Sequence, residues 1–329
     1  MKHINVALFT VHEGCPHLCS FCNQRSISGS EKRVTAQDVH SAAKRALEGT
    51  KDVSDGEIAF FGGSFTLIER GYMLSLLEAA KSHIDAGEFR GIRISTRPDG
   101  IDEEICSVLA RYGVTAVELG AQSMDDRVLE MNRRGHTAQD VVNAVGLLKA
   151  HGFETGLQMM TGLYGSSDED SIETARRIIA LRPATVRIYP TVVMENTELC
   201  RLMRQGEYTP QTPGEAAELG SILIPMFEEA GIKVIRFGLH SGGGVEGGFA
   251  GGAYHPALRE MAESRIFRRI IKEKAQGREG AVTVYVPVNK VSQAVGQHRE
   301  NIMYLREAGL ECKIRPLDTL EGYNAILEF

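Results

Sequence analysis

No stretch of this chain approaches the ~18 consecutive apolar residues of a membrane span, and the first residues, Met1 to Asn5, lack the apolar core of a signal peptide. Both absences point to a cytoplasmic protein with no membrane partner. A basic excess is missing too: the formal net charge is -6, which exerts no general pull on nucleic acid, so a polyanionic partner must meet a local basic patch. Nor is there a disulfide framework. Of six cysteines, three crowd into one loop, an odd number for pairing, while Cys106, Cys200 and Cys312 lie scattered in regular segments, as small buried hydrophobes do. What is present, 43% hydrophobic and 24% charged in 329 residues, is the composition of an ordinary globule. The length allows one large domain with an appendage, or two domains.

The crowded cysteines are Cys15, Cys19 and Cys22, in Gly14-Cys-Pro-His-Leu-Cys-Ser-Phe-Cys-Asn-Gln24. Their Cys-x3-Cys-x2-Cys spacing lets three sulfurs point at one small object, most naturally a metal centre. A cube of four irons wants four thiolates, and a loop that offers three leaves one iron open to another ligand. Zinc completed by His12 or His17 is the rival reading, weakened by zinc's preference for four protein ligands. Plain buried cysteines are a third.

Beyond the loop, strand-like and helix-like segments alternate for more than two hundred residues. Thr35-Ala-Gln-Asp38 and Thr137-Ala-Gln-Asp140 read as capping boxes that open helices. Other helices end on Gly113, Gly152 and Gly231, each followed by an apolar strand start. Strands are expected at Ile4–Thr10, Glu57–Phe61, Ile92–Thr96, Ala116–Gly120, Glu154–Met159, Val186–Tyr189 and Lys233–Phe237. Strand and helix in this order imply right-handed crossovers and a parallel sheet with helices outside. The expectation is an α/β fold, a partial (βα)6 barrel over residues 1–240, with chemistry at the carboxyl ends of its strands. Seven glycines among the twelve residues from Ser241 to Gly252 read as a flexible loop. With a basic helix from His255 to Ala275, this loop forms an expected connecting segment, 241–280. Residues 281–329 then run strand, helix, Gly296-Gln-His-Arg299, helix, strand, strand. That order resembles a small α+β, KH-type RNA-binding module with a Gly-x-x-Gly clamp, except that Arg299 replaces the second glycine and its side chain could obstruct close backbone approach. Charges over 281–329 are nearly balanced, so a structural cap and an RNA clamp both stay open.

Candidate ligand-facing residues fall at strand ends. Gly62, Gly63 and Ser64 close the second strand, where glycines let backbone groups approach a ligand. Ser95 stands in Ser-Thr-Arg-Pro-Asp99; a solvated loop with an Arg97–Asp99 pair is the plain alternative. Glu118, Gly120 and Gln122 share one face of the fourth strand, and a carboxylate and amide turned into a barrel need partners, such as ribose hydroxyls or a substrate. Asn132-Arg133-Arg134-Gly135-His136 offers guanidinium groups for a carboxylate. Gln158, before Gly162-Leu-Tyr-Gly165, repeats the pattern of a polar inward residue and a glycine turn.

With Phe21 immediately before its last cysteine, the loop resembles that of the radical S-adenosylmethionine (SAM) superfamily. The resemblance implies a 4Fe-4S cluster on Cys15, Cys19 and Cys22 whose open iron chelates SAM. It also implies a reductant protein such as flavodoxin or ferredoxin, and reductive cleavage of SAM to a 5'-deoxyadenosyl radical. It places Phe21 near the adenine, Gly62, Gly63 and Ser64 along the methionine, Gln122 on the ribose and Arg134 on the carboxylate. Ser95-Thr-Arg-Pro-Asp99, Val117-Glu-Leu-Gly-Ala-Gln-Ser123, Arg134-Gly-His136, Arg187-Ile-Tyr-Pro-Thr191 and Gly206-Glu-Tyr208 narrow the resemblance to the Elongator catalytic subunit, over roughly residues 4–270. That subunit acts on the wobble uridine of tRNA through a further acetyltransferase domain, for which this sequence leaves no room. Its first cysteine gap is also longer. The expectation is therefore a radical SAM enzyme acting on RNA or tRNA. Its rivals are a radical SAM enzyme on a small metabolite of porphyrinogen type, and a non-catalytic iron-sulfur RNA-binding protein. A methylthiotransferase is disfavoured, because the other cysteines are too dispersed for a second cluster.

Overall fold

A computed structural model describes residues 5–10, 14–16, 18–23, 32–49, 53–239 and 243–329. β1 (Asn5–Phe9) leads to α1 (Ala36–Gly49), β2 (Glu57–Phe61), α2 (Arg70–Asp85), β3 (Gly91–Thr96) and α3 (Glu103–Arg111). Then follow β4 (Val114–Gln122), a short α4 (Asp126–Met131), α5 (Ala138–Ala150), β5 (Glu154–Thr161), α6 (Asp168–Ala180) and β6 (Thr185–Pro190). α8 (Pro213–Glu229) and β8 (Lys233–Phe237) complete the series. The strands form one seven-stranded sheet in the order β1-β2-β3-β4-β5-β6-β8, parallel at every junction. This is the partial barrel expected, open between its edges β1 and β8.

Local chemistry explains the helix starts. Thr35 and Asp38 exchange hydrogen bonds at α1, and Thr137 with Asp140 completes a capping box at α5. Two further boxes, Ser167 with Asp170 and Thr212 with Glu215, open α6 and α8. The helices cover the outer face of the sheet, and one apolar core runs from Val6 through Phe60, Leu119 and Ile188 to Phe227. Among the described residues, no helix is long and apolar enough to cross a membrane.

The glycine-rich stretch departs from expectation. Residues 243–252 are not a flexible loop: α9 (Gly243–Gly248) leads into β9 (Phe249–Gly252), which pairs antiparallel with β7 (Val192–Met194). The glycines serve close packing. A Cβ on Gly252, whose φ is +99, would sit 2.7 Å from the Thr191 carbonyl oxygen. Positions 241 and 242 lie outside the described residues. After Pro256, α10 (Leu258–Ala275) starts three residues later than expected. Leu258, Ala262 and Ile266 pack in the barrel core, while Phe267, Ile271 and Ala275 enter a second core. That second core belongs to β10 (Gly280–Val286), α11 (Val291–Val295), α12 (Glu300–Glu307), β11 (Leu310–Pro316) and β12 (Ile326–Glu328). β10 is central, parallel to β11 and antiparallel to β12. In the turn between the two helices, His298 and Arg299 have φ of +49 and +65. Gly296 faces inward: a Cβ there would meet Ser264 Oγ of α10 at 2.9 Å. Buried Asn301 donates to the Ser264 carbonyl at 2.8 Å. The turn's glycine thus serves packing within the chain.

Candidate active site

The three loop cysteines with Phe21, Gly62, Gly63, Ser64, Ser95, Glu118, Gly120, Gln122, Arg134 and Gln158 line one cavity of about 1220 Å³ inside the curl of the sheet. At its rim the cysteine loop is held by backbone and buried polar groups. Ser20 N donates to the Asn132 carbonyl at 3.1 Å and Ser20 Oγ to Asn132 Oδ1 at 2.7 Å. Asn132, fully buried, donates in turn to the Val128 and Tyr164 carbonyls. On the other side Leu199 N of α7 (Glu198–Arg204) donates to the Ser20 carbonyl, and Asn23 Nδ2 to the Glu195 carbonyl. Phe21 packs against the apolar group of Val193, Leu199 and Tyr208 while also lining the cavity. The loop therefore rests on β4, β5 and β6 connections far apart in sequence.

Gly14 and the β2 turn meet at van der Waals distance. Gly14 has φ of +71, and a Cβ there would lie 2.3 Å from the Ser64 carbonyl oxygen and 2.7 Å from Ile68 N. Cys15 Sγ is 3.5 Å from Ser64 Oγ. Gly62 and Gly63 have φ of +76 and +59, and buried Thr10 donates to the Gly62 carbonyl at 3.0 Å. Gly14→Ala is expected to unseat the loop at a cost of about 1–3 kcal/mol of backbone strain plus the clash. Iron bound per chain after reconstitution checks it, and wild-type iron content would contradict it.

Arg134 reaches from the α4–α5 connection to Cys19 Sγ at 3.2 Å and the Gly120 carbonyl at 2.7 Å. Gln122 sits just past a register slip between β4 and β5, with Ala121 as the extra residue, and has φ of +65. Such a bulge re-aims a side chain. Gln122 Oε1 and Arg134 Nε are buried without a hydrogen-bond partner, where buried polar atoms normally have one. Gly120 lacks the Cβ that would press Gln122 Nε2 at 2.9 Å and Arg134 Nη2 at 3.3 Å. Arg133 does not join them: it is exposed and pairs with Glu198. The Arg97–Asp99 pair exists, bidentate at 2.8 and 2.9 Å, but Arg97 is buried on the cavity wall instead of lying in a solvated loop.

His136 lies beneath these groups, its Nε2 3.2 Å from the Ala121 carbonyl. Burial first, then Arg134 and Arg97, push its pKa down to about 4, against an opposing pull from Asp99. The imidazole is neutral in the folded chain, so the unfolded chain takes up the proton first as pH falls. Its share of stability is complete above pH 6.5 and is lost on descending towards pH 4, by about 3 kcal/mol in all. The stability of His136→Gln should therefore fall less steeply than that of wild type from pH 6.5 to 4.5, as followed by thermal melting. Parallel curves would contradict this.

Deeper in the cavity an ion-pair ladder crosses the sheet, and here the sequence reading was incomplete. Glu118 does not await a ligand: Arg187 Nε and Nη2 donate to its two oxygens at 2.6 and 2.9 Å, and Gln158 Nε2 donates at 3.1 Å. Gln158 also contacts Ser95 Oγ at 3.4 Å. Arg93 links Glu57 at 2.6 Å, Glu154 at 2.8 Å and Glu118 at 3.5 Å. Burial alone would raise the Glu57 carboxyl, yet Arg93, Arg90 and Thr115 hold it below the usual range. The signal was available: β2 to β6 and β8 each carry at least one acidic or basic residue, among them Glu57, Arg93, Glu118, Glu154, Arg187 and Arg236.

Among the described residues, no three His, Cys, Asp or Glu side chains are grouped to hold a single metal ion. His12 and His17, the partners of the zinc reading, lie outside those residues. Three thiols at the rim of a large cavity, with unpartnered amide and guanidinium atoms behind them, fit an inorganic cluster bearing an organic ligand.

Fold and site together define a radical SAM barrel. Residues 9–178 match the Radical SAM superfamily and residues 183–268 the Radical SAM C-terminal domain, and the chain belongs to this superfamily of enzymes, whose cofactors are a 4Fe-4S cluster and SAM. Among curated proteins it is 31% identical over 254 residues to a tRNA uridine(34) acetyltransferase of Methanocaldococcus jannaschii, covering 65% of this chain and 47% of that protein. It is 35% identical over 266 residues to Elongator complex protein 3 of Bos taurus, covering 67% and 49%. The chain thus spans about half the length of these relatives. In fold it is similar to the archaeal Methanocaldococcus infernus Elp3, with a TM-score of 0.66, 23% identity, and coverage of 84% of this chain and 66% of that one.

Proposed function

We propose that this enzyme modifies a base of RNA, most simply of tRNA, by abstracting a hydrogen atom in the barrel cavity. The single observation that carries the reading is the likeness to a tRNA uridine(34) acetyltransferase, at 31% identity over 65% of this chain. Cys15, Cys19 and Cys22 would hold the cluster at the cavity rim. When bound there, the cluster with SAM supplies a carbon-centred radical able to remove an unactivated hydrogen. The remaining work is the chain's own. Arg134, pinned by Cys19 and Gly120, presents Nε to a carboxylate, and Gln122 presents Oε1 to a hydroxyl donor. Gly62, Gly63 and Ser64 offer backbone and hydroxyl groups to the amino acid moiety, and Phe21 offers an apolar edge to the adenine. Ser95, Gln158 and Glu118 brace the wall behind. Burial of Ser64, Ser95, Glu118, Gln122 and Arg134 limits water at the reacting face.

Mass spectrometry of nucleosides from a deletion strain tests the substrate. The expected result is the loss of one modified nucleoside from the tRNA fraction, restored by the wild-type gene and not by one encoding Cys19→Ala. A complete nucleoside set in the deletion strain would overturn the RNA reading while leaving the radical chemistry standing.

A further inference from the structure

The cavity wall formed by β6 and β8 carries charged side chains outside the set assigned above to the cofactor. Arg187 of β6 and Arg236 of β8 are register partners, on strands that run about 4.8 Å apart. Strict alternation would not bring them together. The register slips between Val186 and Arg187, leaving Ile235 as the extra residue of β8. Without that slip Arg187 would lie beside Ile235 and Arg236 would turn to the other face. Bulges beside functional sites serve to re-aim a side chain in this way.

The cost of the arrangement is electrostatic. Two guanidinium groups side by side repel, the more strongly in a partly desolvated cavity. Glu118 compensates Arg187, with both oxygens engaged. Burial first, and then Arg187 and Arg259, hold Arg236 below the usual arginine range, with Tyr189 opposing. Arg259 is committed to Glu263 at 2.9 Å and to the Val234 carbonyl at 2.8 Å. Arg236 and Tyr189 both line the cavity and are only half-buried. A guanidinium fork beside a phenol hydroxyl matches a phosphate or carboxylate, which takes paired donors.

We infer that Arg236, with Arg187 and Tyr189 beside it, forms an oxyanion subsite that holds a phosphate or carboxylate group of the substrate against the β6–β8 wall. This rests on reading the cavity as the substrate chamber, and is independent of whether the substrate is RNA.

Calorimetric titration of the full, cluster-reconstituted chain under anaerobic conditions tests it, with uridine, uridine 5'-monophosphate, inorganic phosphate and acetate as probes. A nucleotide source predicts that the monophosphate binds at least about tenfold more tightly than uridine, since a charge-assisted bond contributes roughly that factor. Arg236→Gln should erase the difference. Tyr189→Phe, which removes one hydroxyl, should reduce it about fivefold and keeps the test open should Arg236→Gln fold poorly. Lys313→Gln, the same change of charge at an exposed position of β11 in the C-terminal module, should leave it intact. A carboxylate source predicts instead that acetate, and not phosphate, loses affinity in Arg236→Gln. Equal binding of uridine and its monophosphate, with phosphate and acetate affinities unaffected by Arg236→Gln and Tyr189→Phe, would overturn the subsite. An Arg236-dependent affinity alongside a complete nucleoside set in the deletion strain would keep the subsite and remove only the RNA reading.

Discussion

Cys19→Ala is expected to reduce 5'-deoxyadenosine formation from SAM under anaerobic reductant by more than about a hundredfold, because the proposed open-iron chemistry would depend on all three thiolates of the loop. The same change removes the sulfur that Arg134 Nη1 meets at 3.2 Å, so the guanidinium loses one of its two anchors and keeps only the Gly120 carbonyl. Cys312→Ala is the matched control. Burial pushes that thiol up to about 11, which keeps it protonated and a poor ligand, and it lies in β11 of the C-terminal module. Iron content, the visible absorbance of the cluster and deoxyadenosine yield should all follow Cys19 and ignore Cys312. Equal loss in the two variants would mean that the effect is general misfolding, and retained cleavage in Cys19→Ala would remove the loop from the chemistry.

The second large effect concerns stability. Glu118→Ala leaves Arg187 and its register neighbour Arg236 without the buried carboxylate that engages Arg187 through two hydrogen bonds. Removing one partner of such a buried pair typically costs about 3–5 kcal/mol, since the remaining charge stays desolvated. The denaturation midpoint should fall accordingly with little change in slope. Glu118→Leu combined with Arg187→Met removes both charges and should be markedly less destabilised than the sum of the single changes. A single-variant loss below about 1 kcal/mol, the range of exposed ion pairs, would show that water screens the ladder and that the cavity floor is wet.

Much of the site was legible because its chemistry is local. The spacing of Cys15, Cys19 and Cys22 and the glycine pair after β2 each sit within a few residues, and the inward face of β4 follows from a period of two. Glu118 shows the limit. Its type and face were readable, but its partners come from strands β3, β5 and β6, and its oxygens proved to be occupied by Arg187 and Gln158 instead of left for a ligand. Arg133 and Arg134 are adjacent and chemically equal in sequence, yet a φ of +53 at Arg133 sends one to Glu198 and the other to Cys19. The glycine-rich stretch misled for a related reason. Glycine content signals both freedom and close approach, and only the position of β7 shows that Gly252 serves the latter.

By itself, the sequence determined the main order of strands and helices, the parallel sheet that this order requires, the three-cysteine loop and the superfamily. These follow from periodicity, capping and ligand spacing, all properties of neighbours along the chain. Tertiary structure alone decided which charges pair across the cavity, that the register slips at Ala121 and Ile235 turn Gln122 and Arg236 inward, and that α10 is shared by two cores. Such features depend on register between strands tens of residues apart, where a slip of one position moves a side chain to the opposite face.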